Sequence, residues 1–84
     1  ELQIALCEDD KEELKRLTHL IQDRPTPARV TAFDSGESFL GDYRPGYYDM
    51  VFMDIYLEGM SGVETVRRLR ELESELPVCQ KKEL

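Results

Sequence analysis

Cysteine is scarce in this sequence. Cys7 and Cys79 are the only two, and neither sits in a Cys-x-x-Cys pair or a histidine-rich stretch. That excludes a disulfide framework and a cysteine-based zinc site, and it makes a reducing cytoplasm the expected compartment. Basic residues are also few. Eleven Lys and Arg stand against eighteen Asp and Glu, a formal net charge of -7, which argues against a surface that binds a polyanion by releasing its counterions. Any DNA-directed role would need another domain. No apolar run approaches the length of a membrane span, and the N-terminus lacks a basic segment followed by an apolar core, so neither a membrane segment nor a secretion signal is expected. The one histidine, His19, has no histidine or cysteine partner four residues away and is read as a rim residue.

With 84 residues, 40% of them apolar, there is room for one small folded domain. The chain begins at Glu1 and turns polar at Gln80-Lys81-Lys82-Glu83. The expectation is a piece of a longer protein, with a single domain over 1–79 and a polar tail over 80–84. Strand and helix signals alternate. Gln3 to Cys7 is almost wholly apolar, as a central parallel strand should be. Asp10-Lys11-Glu12-Glu13 then reads as a capping box, with Glu13 reaching back, before a helix whose Leu14, Leu17, Leu20 and Ile21 form an apolar stripe. Pro25 and Pro27 end it.

Val30 to Phe33 is a short second strand, and Ser35 caps a short helix through Leu40. Met50 to Met53 is a second fully apolar strand with Asp54 at its end. Ser61-Gly62-Val63-Glu64 opens a third helix, whose buried side is expected at Val63, Val66, Leu69 and Leu72. Glu64 with Arg68 and Arg67 with Glu71 are i,i+4 pairs on its wet side. Leu76-Pro77-Val78-Cys79 starts one more strand. Tyr43, Tyr47 and Tyr48 are read as cover for a small core, Cys7 as a core residue, and Cys79 as exposed.

The chemistry lies at the ends of the apolar strands. Consecutive parallel strands present their C-terminal ends at one rim, about 4.8 Å apart when adjacent. If the first and third strands are neighbours, Glu8, Asp9 and Asp54 converge there. Ionised carboxylates that close repel, so they take up protons or bind a cation, and magnesium suits a few carboxylates that leave positions open for phosphate oxygens. An aspartate beside such an ion can attack phosphorus and form an acyl phosphate. Asp54 is placed for that role.

These residues resemble the receiver domain of bacterial response regulators, the phosphoacceptor half of two-component signalling. Ile4 to Asp10 is similar to that family's first strand and acidic pair. Tyr48 to Ile55 is similar to its third strand with the acceptor aspartate, and Leu57 to Gly62 to the following loop, where the family usually has Pro at the place of Glu58. The resemblance implies an α/β, flavodoxin-like parallel sheet with helices on both faces. It is incomplete here, with three strand-helix units and the start of a fourth strand. It further implies that Asp54 accepts phosphate from a sensor histidine kinase, and that Asp9 and Asp54 ligate Mg2+ directly. Glu8 would act mainly through a bound water, and the backbone carbonyl of Tyr56 would be another ligand. Such a module is not an enzyme beyond its own phosphotransfer and autodephosphorylation.

The Cys7-Glu8-Asp9-Asp10 start and the tyrosine-rich approach to Asp54 most resemble receivers attached to LytTR-type DNA-binding domains. The family pattern has two further strand-helix units, bringing a Ser or Thr and a Lys that read the phosphoryl group, and neither Lys81 nor Lys82 is assigned that role. Slower transfer, an exposed apolar edge on the third strand and association through that edge are therefore expected of this chain alone. Two alternatives stand beside this reading. One is an interaction-only receiver-like fragment. The other is an aspartate-nucleophile phosphohydrolase of the haloacid-dehalogenase type, disfavoured because Tyr56 occupies the place of its second acid.

Overall fold

The apolar runs form the middle of a parallel sheet. In the computed structural model, which describes residues 1–73 and 75–81, the elements are β1 (Leu2–Cys7), α1 (Lys11–Gln22), β2 (Ala28–Phe33), α2 (Gly36–Asp42), β3 (Met50–Asp54), α3 (Gly62–Leu72) and β4 (Val78–Lys81). The strand order is β2-β1-β3-β4. This is the α/β, flavodoxin-like arrangement expected of the sequence, with β1 and β3 in the centre where their uninterrupted apolar character belongs. Cys7 lies opposite Phe33 on one side and Met53 on the other. The register therefore brings the residues that follow, Glu8 and Asp54, level with each other.

Alternation along the central strands divides the two faces. Ala5, Cys7, Val51 and Met53 join Phe39, Tyr48, Leu57, Leu69 and Leu76 in one buried cluster, at about 1.5–3 kcal/mol for each large side chain withdrawn from water. Its aromatic rings meet in two ways: Phe33 and Phe39 are edge-on, 5.5 Å apart at 69°, and Tyr43 stacks on Tyr48, 6.5 Å apart at 20°. Tyr43 packs on this cluster, and its hydroxyl hydrogen-bonds Glu73. Burial, with help from that carboxylate, pushes the Tyr43 phenol up to about 12. Tyr48 and Tyr43 cover the core as expected, whereas Tyr47 is exposed.

The opposite face carries Ile4 and Leu6 beneath α1. No α1 residue is fully buried and Leu20 is half exposed. Its stripe rests mainly over β2, and Ile4, Leu17, Ile21, Met50 and Phe52 line an open groove beside it.

Several local expectations are corrected. On this side of the sheet the edge strand is β4, which pairs with β3 from Val51–Val78 to Asp54–Lys81, so β3 is interior. β4 takes in Gln80 and the backbone of Lys81, two positions assigned to the polar tail, while 82–84 lie outside the described residues. The buried side of α3 is Gly62, Thr65 and Leu69, whereas Val63 and Leu72 are exposed. Two glycines turn the helix this way. Gly62 lies against the backbone of Asp54 and Ile55, and Gly36 of α2 lies against Thr65.

The first capping box is also rearranged. Asp10 accepts from Glu12 and Glu13 amides, but the Asp10 N–H donates to Glu8 Oε2 at 3.1 Å, and Glu13 forms a two-point pair with Arg16. Ser61 caps α3 through the Glu64 N–H as expected, and Glu64 pairs with both Arg67 and Arg68. No helix among the described residues is long and apolar enough to cross a membrane.

The two thiols differ sharply. Cys7 is buried, which pushes its thiol up to about 12, and Cys79 is exposed on β4. The thiolate is the reactive species, so a thiol reagent should modify Cys79 alone in the folded chain and both cysteines after denaturation. Two fast-reacting thiols in the native protein would contradict this packing.

Candidate functional site

Each acidic residue at the rim is set by the strand before it. The ladder of β1 continues through a Glu8 N–H to Phe33 carbonyl bond of 2.9 Å, which fixes Glu8 at the strand end, 3% exposed. Asp9 is the next residue and is exposed. Asp54 closes β3, 7% exposed. One carboxylate oxygen from each of Glu8, Asp9 and Asp54 lies within 4.8 Å of the other two. At an effective dielectric of about 20, two unit charges that far apart repel by roughly 3 kcal/mol. A cation with hard oxygen preferences relieves that repulsion, and an all-carboxylate donor set suits magnesium.

The three residues open into a cavity of about 560 Å3 also lined by Asp10, Glu12, Glu13, Arg16 and Tyr56. The Tyr56 ring is largely exposed, and its backbone follows Asp54 closely: the Tyr56 N–H donates to Asp54 Oδ1 at 3.0 Å. This bond orients the Asp54 carboxylate without covering it. Asp9 is held from the other side, where Oδ2 accepts from the Glu58 N–H at 3.2 Å. The three acids singled out from sequence thus meet at one rim, and the Tyr56 N–H bonds to one of them.

Other participants are not visible in the sequence pattern. The α1 pair of Glu13 and Arg16 reaches the same cavity. Its i,i+3 spacing signals the pair but not the direction it faces. The glycine at 62 has a purely local reason to be there, since an added Cβ would stand 2.2 Å from the Asp54 carbonyl oxygen and 2.6 Å from Ile55 Cα. Glu37, from the first turn of α2, accepts from the Met60 N–H at 3.3 Å, a contact that only the tertiary fold creates. The backbone of Lys81 lies beside Asp54 in the sheet register. Lys82 is outside the described residues.

Comparison with known proteins agrees with this geometry. The sequence profile described as "Response regulator receiver domain" matches residues 4–80. The uncharacterized transcriptional regulatory protein YkoG of Bacillus subtilis is 34% identical over 73 residues, which are 87% of this chain and 32% of YkoG. The chain therefore spans about a third of the length of that relative. Among solved structures, the non-phosphorylated HemR receiver domain of Leptospira biflexa superposes with a TM-score of 0.84 at 27% identity, covering 95% of this chain and 63% of that one. The receiver domain of the sensor histidine kinase PA1611 of Pseudomonas aeruginosa, which holds a magnesium ion in its active-site cleft, gives 0.84 at 22% identity over 94% and 65% of the two chains. At that identity the likeness is one of fold.

Proposed function

The chain belongs to the response regulator receiver domain family, and from that membership we propose that it accepts a phosphoryl group on Asp54 from the phosphohistidine of a sensor histidine kinase. The observation that carries this reading is the convergence of Glu8, Asp9 and Asp54 at one rim, with Asp54 oriented by the Tyr56 N–H. Asp9, Asp54 and the Tyr56 carbonyl would hold Mg2+ directly, with Glu8 acting through water. Bound there, the ion supplies positive charge to the phosphoryl oxygens during transfer.

A carboxylate oxygen of Asp54 forms a bond to phosphorus as the phosphorus–nitrogen bond breaks, and the imidazole departs with the electron pair. The product is an acyl phosphate. Receiver domains are signalling domains and not turnover enzymes, and any dephosphorylation here is reversal of the chain's own modification by water. A cytoplasmic response regulator with a DNA-binding output domain, of LytTR type by its Cys7-Glu8-Asp9-Asp10 start, is the parent protein that suits this module. The net charge of -7 leaves DNA contact to that other domain.

The test uses a small phosphodonor such as acetyl phosphate. Acid-labile phosphate should accumulate on the chain with magnesium chloride present and fall at least tenfold when EDTA removes the metal, the scale of losing transition-state charge stabilisation. Equal uptake with and without magnesium would contradict the proposed role of the three carboxylates.

A further inference from the structure

The β3–α3 loop is bonded on two sides through alternate backbone amides. The Glu58 N–H donates to Asp9 Oδ2 at 3.2 Å, and the Met60 N–H donates to Glu37 Oε2 at 3.3 Å. Between them Gly59 has φ +74, a left-handed conformation open to glycine and strained for other residues. A side chain there would also meet Glu37, with an added Cβ 3.0 Å from Oε2. The near end of the loop is fixed to Asp54 through the Tyr56 N–H and the far end by the Gly62 N–H to Ile55 carbonyl bond at 3.3 Å. The turn between Glu58 and Met60 therefore has one anchor on the β1 side, Asp9, and one on the α2 side, Glu37.

We propose that the β3–α3 loop is a main-chain latch on Asp9, set in position by Glu37, and that this latch determines how tightly the acidic rim binds a divalent cation. The proposal rests on the functional reading above and deepens it. A carboxylate on a loop after a strand has free rotamers, and ordering it costs entropy when a cation arrives. An amide bonded to one oxygen pays that cost in advance and leaves the second oxygen for the ion. Partners of this kind, which orient ligands without touching the metal, typically change metal affinity by about 10- to 100-fold when removed. Glu37 acts here through its acceptor oxygen on the Met60 N–H. Asp9 uses only the main chain of Glu58, so the Glu58 side chain is dispensable. Glu37 and the Glu58 amide are positioning groups and make no contact with the cation.

Isothermal titration of the full 84-residue chain with magnesium chloride separates the cases. Glu37→Ala and Glu58→Pro should each weaken binding by roughly tenfold, the first by releasing the turn and the second by deleting the donor N–H. Glu37→Gln, which keeps an acceptor oxygen, and Glu58→Ala, which keeps the N–H, should bind within about twofold of the parent on the same rationale. Circular dichroism confirms the fold of each variant. Glu37 is exposed, so Glu37→Ala carries the test even if proline disturbs the turn. Parental affinity in Glu37→Ala overturns the proposal, and so does a Glu37→Gln variant as weak as Glu37→Ala, which would make the effect one of charge. A parent that does not bind magnesium at all sinks the functional reading itself.

Discussion

Gly62→Ala should lower the melting temperature of the chain by roughly 5–20 °C, the consequence of about 1–3 kcal/mol of overpacking in a domain of this size. Alanine is ordinarily the better helix residue, so the sign is set by the surroundings alone. The new methyl group would sit 2.2 Å from the Asp54 carbonyl oxygen, 2.6 Å from Ile55 Cα and 2.9 Å from the Asp54 carbonyl carbon. All three are backbone atoms at the end of β3, and no side-chain rotation relieves the clash. Either α3 lifts away from the sheet or the end of β3 moves, and that end carries the rim carboxylate.

Two sister substitutions calibrate the result. Gly36→Ala meets the Thr65 hydroxyl at 1.9 Å, a side-chain group, but one already donating to the Ser61 carbonyl at 2.8 Å. Its cost should be smaller than that of Gly62→Ala. Gly41→Ala meets nothing within 4 Å inside α2 and should stabilise by up to about 1 kcal/mol. Thermal melts of the three variants check the order, and a Gly62→Ala variant as stable as Gly41→Ala would refute the packing of α3 against Asp54.

The same contact shows what could be read from residues alone. Strand positions were legible because β1 from Ile4 onward and β3 up to Asp54 are unbroken apolar runs bounded by acids and turns, and the caps at Asp10, Ser35 and Ser61 announce each helix start. The three rim acids followed from topology, since parallel neighbours must end together. The buried side of α3 was legible only in part: Leu69 is buried and Val66 packs on the core as expected, but Val63 and Leu72 are exposed. Val63, Val66, Leu69 and Leu72 have helical spacing, yet the helix turns on Gly62 and Thr65, because a residue without a side chain permits the closest approach and hydropathy patterns give glycine no weight. The stripe of α1 was read correctly as apolar but not as half exposed, because periodicity reports which side is greasy and not how much covers it. The anchors at Glu37 and the Glu58 amide were invisible for a different reason. They join residues far apart in sequence through a backbone group that every residue but proline possesses.

Asp54→Asn separates chemistry from folding at the rim. The amide is nearly isosteric and keeps an oxygen to accept the Tyr56 N–H, so the local fold should persist. Removing one of three mutually repelling carboxylates should leave the apo chain as stable as the parent or more so. An amide does not form an acyl phosphate under these conditions, so the nucleophile is lost. The decisive measurement is therefore phosphate uptake from acetyl phosphate with magnesium, for parent and Asp54→Asn side by side, with the modified residue located by mass spectrometry after borohydride reduction of the acyl phosphate. Acid-labile phosphate on Asp54 of the parent, and none above background on a well-folded Asp54→Asn, is the predicted result. Equal uptake by the variant, or parental phosphate located on another residue, would contradict the assignment of Asp54 as the acceptor.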